Sequence, residues 1–253
     1  MREASTGPRD RSYREWLPRS ELRRHVAAVW LERSRPDGTP HRDRVLPDGC
    51  IDIVYGRNLW VRGPETEARA VRYPADSTFV GFRFRPGAAA AVLGAPASEL
   101  VDRRVPLDAL WGSAADELVE TLAAAPSLIG VVERLEAAIV TRARQAPPDP
   151  LIEAVARRVA SVPASVASLA EAFGVSERQL RRRCHCGLGY GAKTLARIAR
   201  FQRFRALAEH DRGLGLAALA ASAGYSDQPH LTRECRRLAG ETPRAHLTRV
   251  RSQ

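Results

Sequence analysis

The chain has 253 residues, 44% hydrophobic and 27% charged, which suits a globular protein of two ordinary domains and excludes a disordered or fibrous one. No apolar run approaches the roughly 18 residues a membrane-spanning helix requires, since the best stretch, 88–95, is short and broken by Gly94. The first sixteen residues alternate charges around no apolar centre, unlike a secretory signal, so the expectation is a cytoplasmic protein without a membrane partner.

The net charge of +11 is unevenly spread. Residues 1–150 hold 22 Arg against 21 acids, whereas residues 151–253 hold 17 Arg and Lys193 against 8 acids. A basic unit beside a near-neutral one is the electrostatic footprint of polyanion binding, because cationic side chains release the counterions condensed on phosphates. An arginine-rich genome would enrich Arg in both halves, but it would not remove acids from only one.

In chain order, residues 26–84 read as short strands. His25 to Leu31, Cys50 to Tyr55, Leu59 to Arg62 and Phe79 to Phe84 are β-branched or aromatic runs, with turns at Asp37-Gly38, Pro47-Asp48-Gly49 and Gly56-Arg57-Asn58. Phe82 and Phe84 alternate with Gly81 and Arg83, as in a strand with one buried face. Several strands at this spacing predict a small β barrel or sandwich. Helical periodicity follows over 108–143, carried by Leu110, Leu118, Leu122, Val132, Leu135 and Ile139. The Pro-rich stretch ending at Pro150 marks a connector at 147–150. The predicted fold class is therefore multidomain α+β. A β-rich sensor or dimerisation domain over 1–146 precedes an all-α domain over 151–253.

Cys50, Cys184, Cys186 and Cys235 lack the paired spacing of a structural zinc site, so no metal is expected and the thiols read as small core residues, with a redox role left open. His41, Asp48 and Asp52 could suggest a hydrolytic site. Asp48 is better read as a turn residue and Asp52 as an outward strand position, so neither catalytic residues nor a cofactor are expected.

The C-terminal hundred residues repeat with a period of 50: Leu169 to Gly174 corresponds to Leu219 to Gly224 and, past one extra residue after the serine of the second copy, Leu180 with Cys184 to Leu231 with Cys235. Each copy has the physics of a helix-turn-helix. Gly174 and Gly224 allow the sharp stop after the first helix. Val175 and Tyr225 plug the core between the helices. Ser176, and either Ser226 or Asp227, can N-cap the second helix, with Pro229 in its first turn. Leu180/Cys184 and Leu231/Cys235 face inward. Arg178, Arg181 and Arg182 in one copy, and Gln228, His230 and Arg233 in the other, are left to read base edges. Phosphate contacts fall to Ser176, Arg183, Lys193, Arg197, Ser226, Arg236 and Arg237. A long helix from 192 to about 210, with Leu195, Ile198, Phe201, Phe204 and Ala208 as its buried stripe, joins the copies. It could hold the two recognition helices for successive major grooves, roughly 34 Å apart.

With Gly189-Tyr190-Gly191-Ala192-Lys193 after the first unit and Gly240-Glu241-Thr242-Pro243 after the second, residues 160–250 resemble the AraC/XylS family of transcription regulators. Gly240 and Pro243 belong to the most specific part of that match. The resemblance implies a regulator of double-stranded DNA whose second helices enter the major groove. Many family members carry Phe where this chain has Cys184 and Cys235, which implies a differently packed core. Residues 44–55 and 80–87 look like the sensor-type domain of one subgroup, of unassigned ligand. A small-molecule effector, RNA polymerase contact and homodimerisation through the 108–143 helices are left open. The competing readings are an architectural DNA-binding protein without effector and a DNA-targeted enzyme.

Overall fold

The computed structural model describes residues 13–34, 40–162, 164–211 and 213–251, without the side chains of residues 41, 250 and 251. The sequence expectations for residues 1–12 and for the Asp37-Gly38 turn lie outside the described residues.

The N-terminal domain is built on an antiparallel sheet. Six strands, β1 (Arg14–Trp16), β2 (Val26–Arg33), β4 (Ile51–Tyr55), β5 (Leu59–Arg62), β7 (Thr78–Phe84) and β8 (Arg104–Pro106), pair in the order β1-β2-β7-β4-β5-β8. Two more, β3 (His41–Val45) and β6 (Arg69–Tyr73), pair only with each other. This second sheet approaches one face of the first, with Tyr73 edge-on to Phe79 at 5.5 Å between ring centroids.

The other face carries the main core. Val29, Ile51, Ile53, Val61, Val80, Phe82 and Phe84 are buried there, as the period-2 alternation requires. They are covered by α1 (Ala89–Leu93), α3 (Ser113–Ala123) and α4 (Leu128–Gln145), through Val92, Leu118, Leu122, Leu135 and Ile139. The short α2 (Asp108–Trp111) adds Trp111. Strands β1, β3, β6 and β8 escaped the sequence reading because they are short or arginine-rich and carry little apolar alternation.

Both faces being covered overturns one expectation. Asp52 does not point outward into water; it is 8% exposed, because the face it occupies is itself sheltered.

Helix α5 (Pro150–Ser161) starts inside the predicted connector: the Asp149 carboxylate caps it by accepting from the Leu151 N–H at 2.9 Å, and Pro150 sits in the first turn. Six more helices follow: α6 (Val166–Ala172), α7 (Glu177–Leu188), α8 (Ala192–His210), α9 (Leu216–Ala223), α10 (Gln228–Ala239) and α11 (Pro243–Arg251). The stripe Leu195, Ile198, Phe201, Phe204 and Ala208 buries α8 at the centre of one continuous helical core. Leu46, from the loop after β3, is a buried member of that same core. None of the described helices is long and apolar enough to cross a membrane.

Candidate nucleic-acid interface

Each helix-turn-helix is formed as local chemistry requires. Gly174, just past α6, has φ +63°, and Gly224, at the end of α9, has φ +87°. These left-handed conformations suit glycine and let each chain reverse within a few residues. Helix α7 opens with a reciprocal capping box, in which Ser176 Oγ accepts from the Gln179 N–H at 3.2 Å and Gln179 Oε1 accepts from the Ser176 N–H at 2.9 Å. Helix α10 opens instead on Asp227, whose carboxylate accepts from the His230 N–H at 2.6 Å. Of the two capping candidates, Asp227 takes the role, and Ser226 Oγ sits 3.1 Å from His230 Nδ1. Tyr225 is buried as the plug of the second unit, while Val175 is only half-buried in the first.

The inward pairs Leu180/Cys184 and Leu231/Cys235 are buried. Burial pushes the Cys184 thiol up to about 11 and the Cys235 thiol up to about 12, so both are held protonated as apolar filler. Cys186 is exposed.

The base-reading candidates divide. Arg178, Arg181 and Arg182 are exposed, at i, i+3 and i+4 on one face of α7. Gln228 and Arg233 are also exposed, and with Pro229, Thr232 and Arg236 they line one concavity on α10. Thr232 was passed over in the sequence, although it continues the Gln228, Thr232, Arg236 spacing of four. His230 is half-buried, its ring edge-on to Tyr225 at 5.2 Å, so it also serves the turn.

The phosphate candidates divide too. Lys193, Arg236 and Arg237 are exposed. Arg183 is engaged by Asp149, with Nε donating at 2.7 Å, which ties α7 to the start of α5. Arg197 makes a two-pronged ion pair with Glu234, at 2.8 and 2.7 Å, joining α8 to α10. Ser176 is committed to its capping box. Gly240, φ +65°, ends α10, and Pro243 opens α11.

These pairings silence acids. Glu234 is held by Arg197, Asp149 by Arg183, and Glu241 by Arg44 and Arg249. Each carboxyl is raised by burial, but the facing guanidinium outweighs that and holds it below the ordinary range. The exposed faces of α7 and α10 are thereby left basic.

Residues 169–249 match the helix-turn-helix domain family, and that span takes in both units and the helix between them. The C-terminal unit is a helix-turn-helix domain. Ahead of this domain, residues 14–106 match a second family, described as a domain of unknown function (DUF6597). No curated protein matches the sequence. Solved structures similar to the chain include ToxT from Vibrio cholerae O395, at 8% identity over 84% of this chain and 96% of that one, with a TM-score of 0.42. The same protein bound to (E)-4-(8-methylnaphthalen-1-yl)but-3-enoic acid gives 8% identity over 84% and 98%, with a TM-score of 0.45. The AraC-like transcriptional activator CuxR gives 13% identity over 78% and 80%, with a TM-score of 0.27.

The helix-turn-helix domain does not stand apart from the sheet domain. The C-terminal end of α7 packs against residues 97–101: a Cβ on Gly189 would meet Val101 at 2.7 Å and the Ala97 carbonyl oxygen at 3.0 Å. Gly49, in the turn before β4, lies against Leu195 of α8, and Gln202 of α8 donates to the Pro47 carbonyl.

Proposed function

We propose that the chain is a sequence-specific regulator of transcription that binds double-stranded DNA through α7 and α10 in successive major grooves. The observation that carries this reading is the pair of exposed basic helix faces, Arg178/Arg181/Arg182 and Gln228/Arg233, on two capped helices held by one buried helix, α8. Arg grips guanine O6 and N7 with two hydrogen bonds, and Gln does the same for adenine N6 and N7. Lys193, Arg236 and Arg237 supply phosphate contacts that set register without reading sequence. The N-terminal domain modulates this binding through its contacts with α7, α8 and α10, in response to a small-molecule effector.

The test is selection of bound DNA from a random library with the full chain, followed by Arg233→Ala and Arg236→Ala on the selected site. A motif of two short half-sites about ten base pairs apart is expected. Arg233→Ala should relax one position at a cost of about 1–3 kcal/mol. Arg236→Ala should weaken all sequences alike and lower the salt slope by about one unit. Salt-sensitive binding with no motif would leave only an architectural role.

A further inference from the structure

The two helix-turn-helix units differ on the face where their sequences have most in common to do. With the buried pairs Leu180/Cys184 and Leu231/Cys235 set in register, Arg178, Arg181 and Arg182 of α7 correspond to Pro229, Thr232 and Arg233 of α10. The first unit has a guanidinium at each of these positions. The second keeps one and replaces the others with a carbon ring and a small methyl-bearing side chain. None of these side chains belongs to the buried core, so internal packing does not account for the exchange.

The replaced positions open a hollow. Gln228, Pro229, Thr232, Arg233 and Arg236 form one stripe along α10, at helical spacing, and line a concavity of about 540 Å³ that opens to solvent. Its walls are mostly carbon. Thr232 Oγ1 donates to the Gln228 carbonyl at 2.9 Å, one turn back, so the hydroxyl is spent on the helix and the methyl is left to present. Pro229 has no N–H to offer, and in the first turn it needs none. Gln228, Arg233 and Arg236 are exposed around the rim, while Thr232 is half-buried between them. An apolar hollow edged by cations suits a polyanion only if something apolar enters it. Base edges in the major groove offer one protruding apolar group, the C5-methyl of a pyrimidine, among hydrogen-bond donors and acceptors.

We propose that, within the DNA-reading role given to α10 above and resting on it, the concavity seats the C5-methyl of a pyrimidine against the Thr232 methyl and the Pro229 ring. Thr232 thereby sets which half-site α10 accepts. In unmodified DNA that pyrimidine is thymine; 5-methylcytosine carries the same group in the same place. Gln228 and Arg233 read the neighbouring base edges, and Arg236 faces the phosphates. The two half-sites are therefore chemically unlike. Helix α7 meets one with Arg178, Arg181 and Arg182, and α10 meets the other with Arg233 beside a methyl seat.

The test uses the full chain and the duplex selected from the random library. Each thymine of the selected site is replaced in turn by uracil, which lacks only the methyl, and each cytosine by 5-methylcytosine; affinities are read by competition. One uracil should weaken binding about fourfold, the worth of one buried methyl group. Thr232→Ser keeps the hydroxyl, removes the methyl, and should bring that penalty below about twofold. Thr232→Val keeps a methyl, removes the hydroxyl, and should retain the penalty. If 5-methylcytosine is the source of the methyl, one methylated cytosine should bind about fourfold tighter and no uracil should matter, with the same response to the two variants. Each protein is judged by its own ratio of methylated to unmethylated affinity, so a loss of folded variant cannot imitate the result. The proposal is overturned if neither replacement shifts affinity by about twofold anywhere in the site, if Thr232→Ser responds to the methyl as the parent does, or if Thr232→Val does not. A motif without a methyl effect overturns this assignment alone; binding without any motif overturns the specific-reading proposal with it.

Discussion

Arg44 of β3 reaches out of the sheet domain to Glu241, with Nη1 and Oε2 3.5 Å apart, and its other terminal nitrogen donates to the Ala239 carbonyl. One sheet-domain side chain thus closes the C-terminal end of α10, where carbonyls lack partners within the helix. Arg44→Ala should speed amide exchange at the end of α10 and over 240–242. The ion pair is partly exposed, so the stability loss should be about 1 kcal/mol or less. Unchanged exchange there would mean that the contact holds nothing in place.

The Arg197–Glu234 pair should be visible in acid. Burial alone would raise the Glu234 carboxyl, but the two Arg197 hydrogen bonds outweigh it and the carboxyl titrates below its ordinary value. Its contribution is therefore present above about pH 4.3, the unfolded value, and is lost as pH falls through the lower folded value. Glu234→Gln should lower stability at pH 7 by about 1–3 kcal/mol and flatten the acid limb of the melting curve. Parallel melting curves for the two proteins between pH 6 and 3 would remove the pair from the stability account.

Asp52 should behave in the opposite sense. Burial raises its carboxyl to about 6; Arg83 and Arg62 pull it down, and Asp48 pushes it up. A carboxyl raised on folding contributes stability that is present below the unfolded value near 4 and lost as pH rises through about 6. Asp52→Asn should therefore be more stable than the parent at pH 7.5, by on the order of 2 kcal/mol, and should lose the parent's decline between pH 4 and 6. A variant that melts lower at pH 7.5 would contradict this.

Gly189 combines a φ of +89° with a Cβ position already filled by Val101, Pro64 and the Ala97 carbonyl. Gly189→Ala should cost about 2 kcal/mol or more, because backbone strain and overpacking act together. The crowded atoms belong to the sheet domain, so proteolysis should become faster at the junction between the domains. A melting temperature within a degree or so of the parent would show that this contact gives way easily.

Where spacing is dictated by one dominant force, the sequence could be read closely. The Leu195 to Ala208 stripe marked α8 and its buried side, because a helix buried on one side must repeat apolar residues at three and four. Gly174, Gly224 and Ser176 marked the turns because few other residues fit them. Tertiary cover left no such trace. Asp52 reads as outward until β3 and β6, strands without clear alternation, are seen beside its face. The commitments of Arg183 to Asp149 and of Arg197 to Glu234 join residues 34 and 37 positions apart, which no local pattern reports. The concavity on α10 includes Thr232 for a simpler reason, since its spacing was present but its residue type drew no notice.

Leu46 gives the last consequence. It is encoded more than a hundred residues before the helices whose core it completes. A fragment begun at Pro150 would carry every residue of both helix-turn-helix units and still have a hole where that leucine belongs. The two halves are separable as text, but the second half's core is not built from its own residues alone. Severed, the second half forfeits part of its own interior; joined, the chain should melt in a single transition.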